Sequence, residues 1–136
     1  MKNSTLGKEY LKRSEVRLKA LQVYLTEKSW PDVVRESQET LELALKGFLR
    51  CHHVEFPRLH DVSNVIRDNL EKFPKELHEK LIVFGRYSHE LRRDRELAFY
   101  GSEDLTPSEF YSEEDAREAF RKAEEVVKSL IKYSNK

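Results

Sequence analysis

Ser29 to Cys51 reads SWPDVVRESQETLELALKGFLRC. Its reading decides the fold. Ser29 has the chemistry of a helix N-cap, and Pro31 falls in the first turn, where its missing N–H costs nothing. Val34, Leu41, Ala44, Leu45 and Phe48 then recur at helical spacing on one face, so the stretch predicts an amphipathic helix that must bury that face against others.

The same period extends in both directions. Upstream, a helix is predicted from about Ser4 to Lys28, with Leu11, Leu18, Leu21 and Leu25 as its stripe and Tyr10 and Tyr24 beside it. Downstream, HHVEFPRLHD is a loop broken by Pro57, and Asp61 is placed to cap a short third helix through Val62, Val65, Ile66 and Leu70. A fourth helix opens at Pro74 and runs to about Tyr100, where Gly101 ends it. Gly85 inside it marks a position where a kink or break is expected. After GSEDLTPSEFY, Ser112 caps a last helix carrying Ala116, Ala119, Phe120, Ala123, Val127, Leu130 and Ile131. The four glycines and four prolines read mostly as boundary marks. No strand, repeat or low-complexity tract is found. The expectation is an all-α protein, an antiparallel up-and-down bundle of about five helices in one domain over residues 1–136.

Composition narrows the function classes. The chain has 25 basic and 25 acidic residues, so general electrostatic attraction to nucleic acid or membrane is excluded, and an anionic ligand needs a local basic patch. A single cysteine, Cys51, allows no internal disulfide. The N-terminus lacks the apolar run of a signal peptide, and nothing approaches the roughly 18 apolar residues of a membrane span. A cytoplasmic protein without membrane contact is expected.

The basic patch is in the fourth helix. Its stripe, followed in steps of four and three, is Leu77, Leu81, Phe84, Ser88, Leu91, Arg95 and Ala98. Ser88 is small and cheap to bury. Arg95 is always charged and needs partners or water. Arg86, His89, Arg92, Arg93 and Arg95 lie within ten residues, and His89, Arg92, Arg93 and Glu96 share a face. Such a cluster can hold a phosphate through bidentate guanidinium contacts. Against this, Arg86 with Glu90 and Arg92 with Glu96 have the spacing of ordinary surface ion pairs, but a solvated face does not account for Arg95.

Other candidates are weaker. Cys51, His52 and His53 are adjacent and point apart on a helix, with no second ligand cluster, so a frayed helix end is the better reading than zinc. His60 with Asp61 opens the third helix and gains a role only if the loop folds over Arg95. Glu42 and Lys46 form an i,i+4 pair. There is no nucleophile arrangement and no glycine-rich phosphate loop.

ESQETLELALKGFLRCHHVEFPRLHDV resembles the HEPN domain pattern, in which a helix like Glu42–Leu49 is followed by a loop and then by the equivalent of Leu59-His60-Asp61. LRRDRELAFYG resembles a later block of that family, and SEEDAREAFRKAEEVVKSLIKY its last helix. The resemblance runs from about Leu18 to Tyr133. It implies a bundle of about five helices, commonly a homodimer. Many members are RNases, often toxins encoded beside a small nucleotidyltransferase antitoxin, whose motif is arginine, four to six residues, then histidine. Two such motifs meet across the dimer interface, and no metal or other cofactor is required.

None of His52, His53, His60, His78 or His89 has an arginine at the required distance before it. Arg95 instead has Tyr100 five positions on. Tyrosine, with an unperturbed pKa near 10, is a poor general base at neutral pH, although it can donate a hydrogen bond or stack on a base. Three functions follow. The first is a module that binds a nucleotide or RNA phosphate at Arg92 and Arg95, with Tyr100, His89, Arg86 and His60 contributing, and that pairs with a nucleotidyltransferase. The second is a metal-independent RNase using Arg95 and Tyr100, with His60 or His89 supplying the acid or base. The third is a structural dimerisation module with Arg95 paired to an acidic residue such as Glu42.

Overall fold

The computed structural model describes residues 2–54, 62–100 and 111–134, with side chains for 4–54, 62–92 and 111–134. Among these residues there are five α-helices and no strand. They are α1 (Lys2–Thr26), α2 (Trp30–Cys51), α3 (Val62–Asp68), α4 (His78–Tyr100) and α5 (Glu113–Ser134), with 3₁₀ turns at Leu70–Lys72 and Lys75–Leu77. The all-α bundle expected from periodicity is what forms. The proposed loop residues Pro57 and His60, the cap Asp61 and the stop Gly101 lie outside the described residues.

Cross-helix pairs give the directions. Gly7 meets Gly47, while Arg17 approaches Glu36 and Glu39, so α1 and α2 are antiparallel. Lys80 lies over the Tyr133 ring and Glu90 binds Lys122, so α4 and α5 are antiparallel as well. α2 is the central element, packing against α1, α4 and α5. Its buried residues go beyond the one face read from sequence, adding Val33, Ser37, Gln38, Thr40, Gly47 and Leu49. α3 packs mainly on α4. The core joins Leu11, Leu18 and Leu21 of α1 to Leu41, Leu45 and Phe48 of α2, Leu81 and Phe84 of α4, and Ala123, Val127 and Leu130 of α5.

Helix ends are built locally. Ser112 and Asp115 form a reciprocal capping pair: the Asp115 N–H donates to Ser112 Oγ at 3.2 Å and the Ser112 N–H to Asp115 Oδ2 at 2.9 Å. Ser29 does occupy the N-cap of α2, but its hydroxyl donates to the Asp32 carboxylate, not to the helix backbone. The fourth helix begins with the 3₁₀ turn at Lys75–Leu77 and becomes α-helical at His78.

The reading of glycines as boundary marks is corrected at three positions. Gly7, Gly47 and Gly85 are all inside helices and buried. A Cβ on Gly47 would stand 2.8 Å from the Gly7 carbonyl oxygen, and one on Gly7 would stand 2.6 Å from that of Gly47. Gly85 does not break α4, which runs unbroken from His78 to Tyr100; a Cβ there would lie 3.0 Å from Ser63 Cα, so its absence lets α3 sit on α4. Glycine is needed for close backbone approach at these crossings, not for a turn.

Gly47→Ala tests this. In an open helix the change would stabilise by about 1 kcal/mol. Here the added carbon meets backbone, and the expected outcome is a loss of roughly 1–3 kcal/mol, read as a fall of several degrees in Tm by calorimetry.

Candidate functional site

Because α2 is enclosed by three helices, its polar residues must find partners inside the bundle. Gln38 is fully buried, and its amide donates to the Glu42 carboxylate one turn on. Lys46 reaches the same carboxylate from the next turn at 2.8 Å. Arg92 approaches from α4, near enough for its charge to act on Glu42. Burial pushes the Glu42 pKa up, but the Lys46 hydrogen bond and charge, the Gln38 amide and the Arg92 charge together hold it below the usual carboxylate value. Glu42 is therefore a fixed anion linking α2 to the arginine-rich part of α4.

Beside it, Arg17, Glu39, Glu42, Leu43 and Lys46 line a shallow cleft of about 220 Å³ between α1 and α2. Arg17 lies 3.9 Å from Glu36 and 3.8 Å from Glu39. Arg35 bridges the same two carboxylates from within α2. The Glu36 pKa is raised, first by burial and then by the Glu39 charge, against the lowering effect of Arg35 and Arg17. The cleft is small for a nucleoside but large enough for a phosphate group.

The α4 candidates divide by face. Arg92 is half-buried and faces Glu42, and His89 is exposed. Arg86 is exposed and lines a separate open groove of about 440 Å³ with Lys80, Val83 and Glu125. Glu90 binds Lys122 of α5 at 3.3 Å, which lies 5.2 Å over the Tyr87 ring. The structure thus brings Arg92 to Glu42 and sets Arg86 elsewhere. The stripe is buried as far as it is described, with Leu77, Leu81, Phe84, Ser88 and Leu91 all inside. Arg95 and Tyr100 lie in the last two turns of α4, and their side chains, like those of Arg93 and Glu96, lie outside the described residues, as does His60.

The histidines at the other end are structural. The His52 ring packs on Phe48 and Phe73, with centroids 4.4 and 5.1 Å away, and its Nδ1 lies 3.0 Å from the Phe48 carbonyl oxygen. His53 is exposed with φ at 60°, and Cys51 turns toward the Ser4 carbonyl. Among the described residues, no three histidine, cysteine, aspartate or glutamate side chains are grouped to hold a metal. Nor is any described helix long and apolar enough to cross a membrane. Sequence reasoning singled out Glu42 only as an i,i+4 partner of Lys46 and as one possible acid for Arg95. Its position on the three-sided helix and its link to Arg92 were not apparent.

The fold is an all-α bundle in which a partly buried carboxylate of the central helix lies near the arginine-rich fourth helix. The chain belongs to the HEPN domain family, whose pattern matches residues 8–133. It is also similar to a protein of Methanocaldococcus jannaschii named Putative toxin MJ1304, with 31% identity over 140 residues covering 96% of this chain and 91% of the relative. No solved structure matches the chain.

The Glu42 arrangement has a pH signature. A carboxyl whose folded pKa is lowered adds stability that is full above its unfolded value, near 4.5, and is lost as pH falls through the folded pKa. Acid titration of Tm should show wild type losing stability below about pH 4.5 more steeply than Glu42→Gln. Parallel curves would remove Glu42 from this role.

Proposed function

We propose that this protein is a HEPN-type toxin component that holds RNA or nucleotide phosphate at Arg92 and Arg95 of α4, works as a homodimer, and is paired with a small nucleotidyltransferase. The observation that carries the reading is that Arg92 lies close enough to the partly buried Glu42 for its charge to lower the Glu42 pKa. A guanidinium has five donors and a carboxylate accepts two of them at most, so orientation by Glu42 and contact with a phosphate are compatible. Arg95 follows Arg92 by three residues, so both rise from one side of the same helix. Tyr100, one turn and a half beyond Arg95, is suited to stacking on a base or donating a hydrogen bond; His89 lies three residues before Arg92, and His60 contributes from the segment before α3. Arg86, on the other groove, adds to the general positive potential of α4.

A second reading is a metal-independent RNase with Arg95 and Tyr100 at the reacting phosphate. The name of the archaeal relative, a toxin, favours it. Tyr100 would then act as a donor to the phosphate or the leaving oxygen, and Arg95 would stabilise the charge that develops.

Both readings are tested with purified protein and a panel of single-stranded RNAs in EDTA. Under the first, RNA binding by fluorescence anisotropy falls about tenfold or more in Arg92→Ala and Arg95→Ala and weakens with added salt, without cleavage. Under the second, RNA is cut and Arg95→Ala or Tyr100→Phe abolishes cutting. Neither binding nor cleavage by wild type would refute both.

A further inference from the structure

The cations around Glu42 do not stop at α4. Lys46, which reaches Glu42 at 2.8 Å, also lines the cleft between α1 and α2, and Arg17 lines it from α1. The pairing of cations is then repeated. Arg13 precedes Arg17 by four residues and Arg50 follows Lys46 by four. Because α1 and α2 are antiparallel, both steps lead the same way along the cleft, one helical turn each. One ring joins the second pair: the guanidinium carbons of Arg13 and Arg50 lie 5.9 and 5.7 Å from the centre of the Tyr10 ring. Tyr10 sits at the Gly47 crossing, where a Cβ on Gly47 would be 2.9 Å from its own.

The electrostatics allow an anionic strand here. Two carboxylates line the cleft, and each is matched. Glu42 has Lys46 and the charge of Arg92, and Glu39 has Arg17 and Arg35. Arg13 and Arg50 add cations beyond the cleft, with Glu9, one turn before Arg13, the exposed acid on that side. A guanidinium over a ring is held by its charge, and its N–H donors stay in its own plane for other acceptors. Cations in file with an aromatic side chain among them are the combination that follows a single-stranded backbone.

We infer that the surface from Arg17 and Lys46 to Arg13, Arg50 and Tyr10 is a second contact surface for single-stranded RNA, reached from the α4 site across Lys46. This rests on the RNA reading above and narrows its ligand. One phosphate lies at Arg92 and further phosphates lie over the α1–α2 pair, so the ligand is a strand of several nucleotides and not a mononucleotide. Contacts of this kind position a strand without reading its bases, so the surface adds affinity with length and no sequence preference.

The test is fluorescence anisotropy of the full chain with single-stranded 2′-O-methyl RNA, which lacks the free 2′ hydroxyl that can attack its own phosphate. Two lengths are compared, a trinucleotide and a strand of about twelve nucleotides. Circular dichroism confirms that each variant is folded. Arg13→Glu and Arg17→Gln are expected to weaken binding of the longer strand about tenfold and about threefold, and to leave the trinucleotide within about twofold, whereas Arg92→Ala weakens both. Arg13→Gln is expected to lower the slope of log affinity against log salt by roughly 0.7, the value for one lost phosphate contact on a single strand, and Arg13→Lys to keep it. Long-strand affinity and salt slope that ignore the Arg13 and Arg17 variants but fall in Arg92→Ala would overturn this surface and leave the Arg92 reading standing. So would an equal loss at both lengths in Arg13→Glu. Loss in Arg13→Glu without loss in Arg92→Ala would overturn the Arg92 reading instead, and no binding by wild type would overturn both.

Discussion

The bundle depends on α2 being enclosed by α1, α4 and α5. On the faces that α1, α4 and α5 cover, polar side chains cannot reach water, so each buried one must be paired within the protein or carry the cost of lacking a partner. Ser37 and Thr40 do not meet the first condition: both are buried, and their hydroxyls have no hydrogen-bond partner among the described residues, a cost the packing must carry. Gln38 meets it by donating to Glu42, and Glu42 in turn gathers Lys46 and the charge of Arg92. Packing of α1 on α2 also brings a close helix crossing, where Gly7 and Gly47 bring two backbones together without an intervening side chain. The site and the packing are consequences of one constraint.

That origin bears on what the Glu42 network does. Removing charge from water is costly, and a buried ion pair repays the cost only with good geometry and further hydrogen bonds. Glu42 has those, since its pKa is lowered in spite of burial. A pair of this kind adds little net stability over an apolar replacement, yet losing one partner strands the other. What it does supply is electrostatic support. Arg92, in the block that resembles the family's, lies in the field of a carboxylate whose pKa is held below the usual value, so the two charges favour one another's ionised forms. A guanidinium drawn toward one partner loses less freedom when it meets a phosphate than a fully solvated one does.

The helices were legible in the sequence because four of the five are long and periodic, and Ser112 could be read as the cap of the last one. The rank of α2 was not, because its extra buried positions are Ser37, Gln38, Thr40 and Gly47, residues that a periodicity argument counts as polar or as breaks. The glycines misled for a related reason. Gly7, Gly47 and Gly85 look like punctuation in one dimension, and only the second helix at each crossing shows that they are missing side chains. At the site, the basic character of Arg86–Arg95 was plain from composition. Its division was not: Arg92 faces α2 and Arg86 faces the α5 side, and six residues on a helix give that separation only once the neighbours are known.

The departure at Tyr100 acquires a physical meaning in this setting. In the resembled pattern a histidine would share the site with the arginine and exchange protons near neutral pH. A phenol does not exchange protons there, but it retains a donor and a ring face. With Glu42 already ionised and committed to Lys46, Gln38 and Arg92, it is poorly placed to serve as a general base in the histidine's stead. What α4 offers besides His89 and the interleaved Glu90, Asp94 and Glu96 is a set of guanidinium donors at Arg92, Arg93 and Arg95. Those groups recognise and stabilise a phosphate more readily than they remove a proton from an attacking hydroxyl. For that reason the binding reading precedes the nuclease reading, and any cleavage would depend on charge stabilisation by Arg95 more than on acid–base transfer.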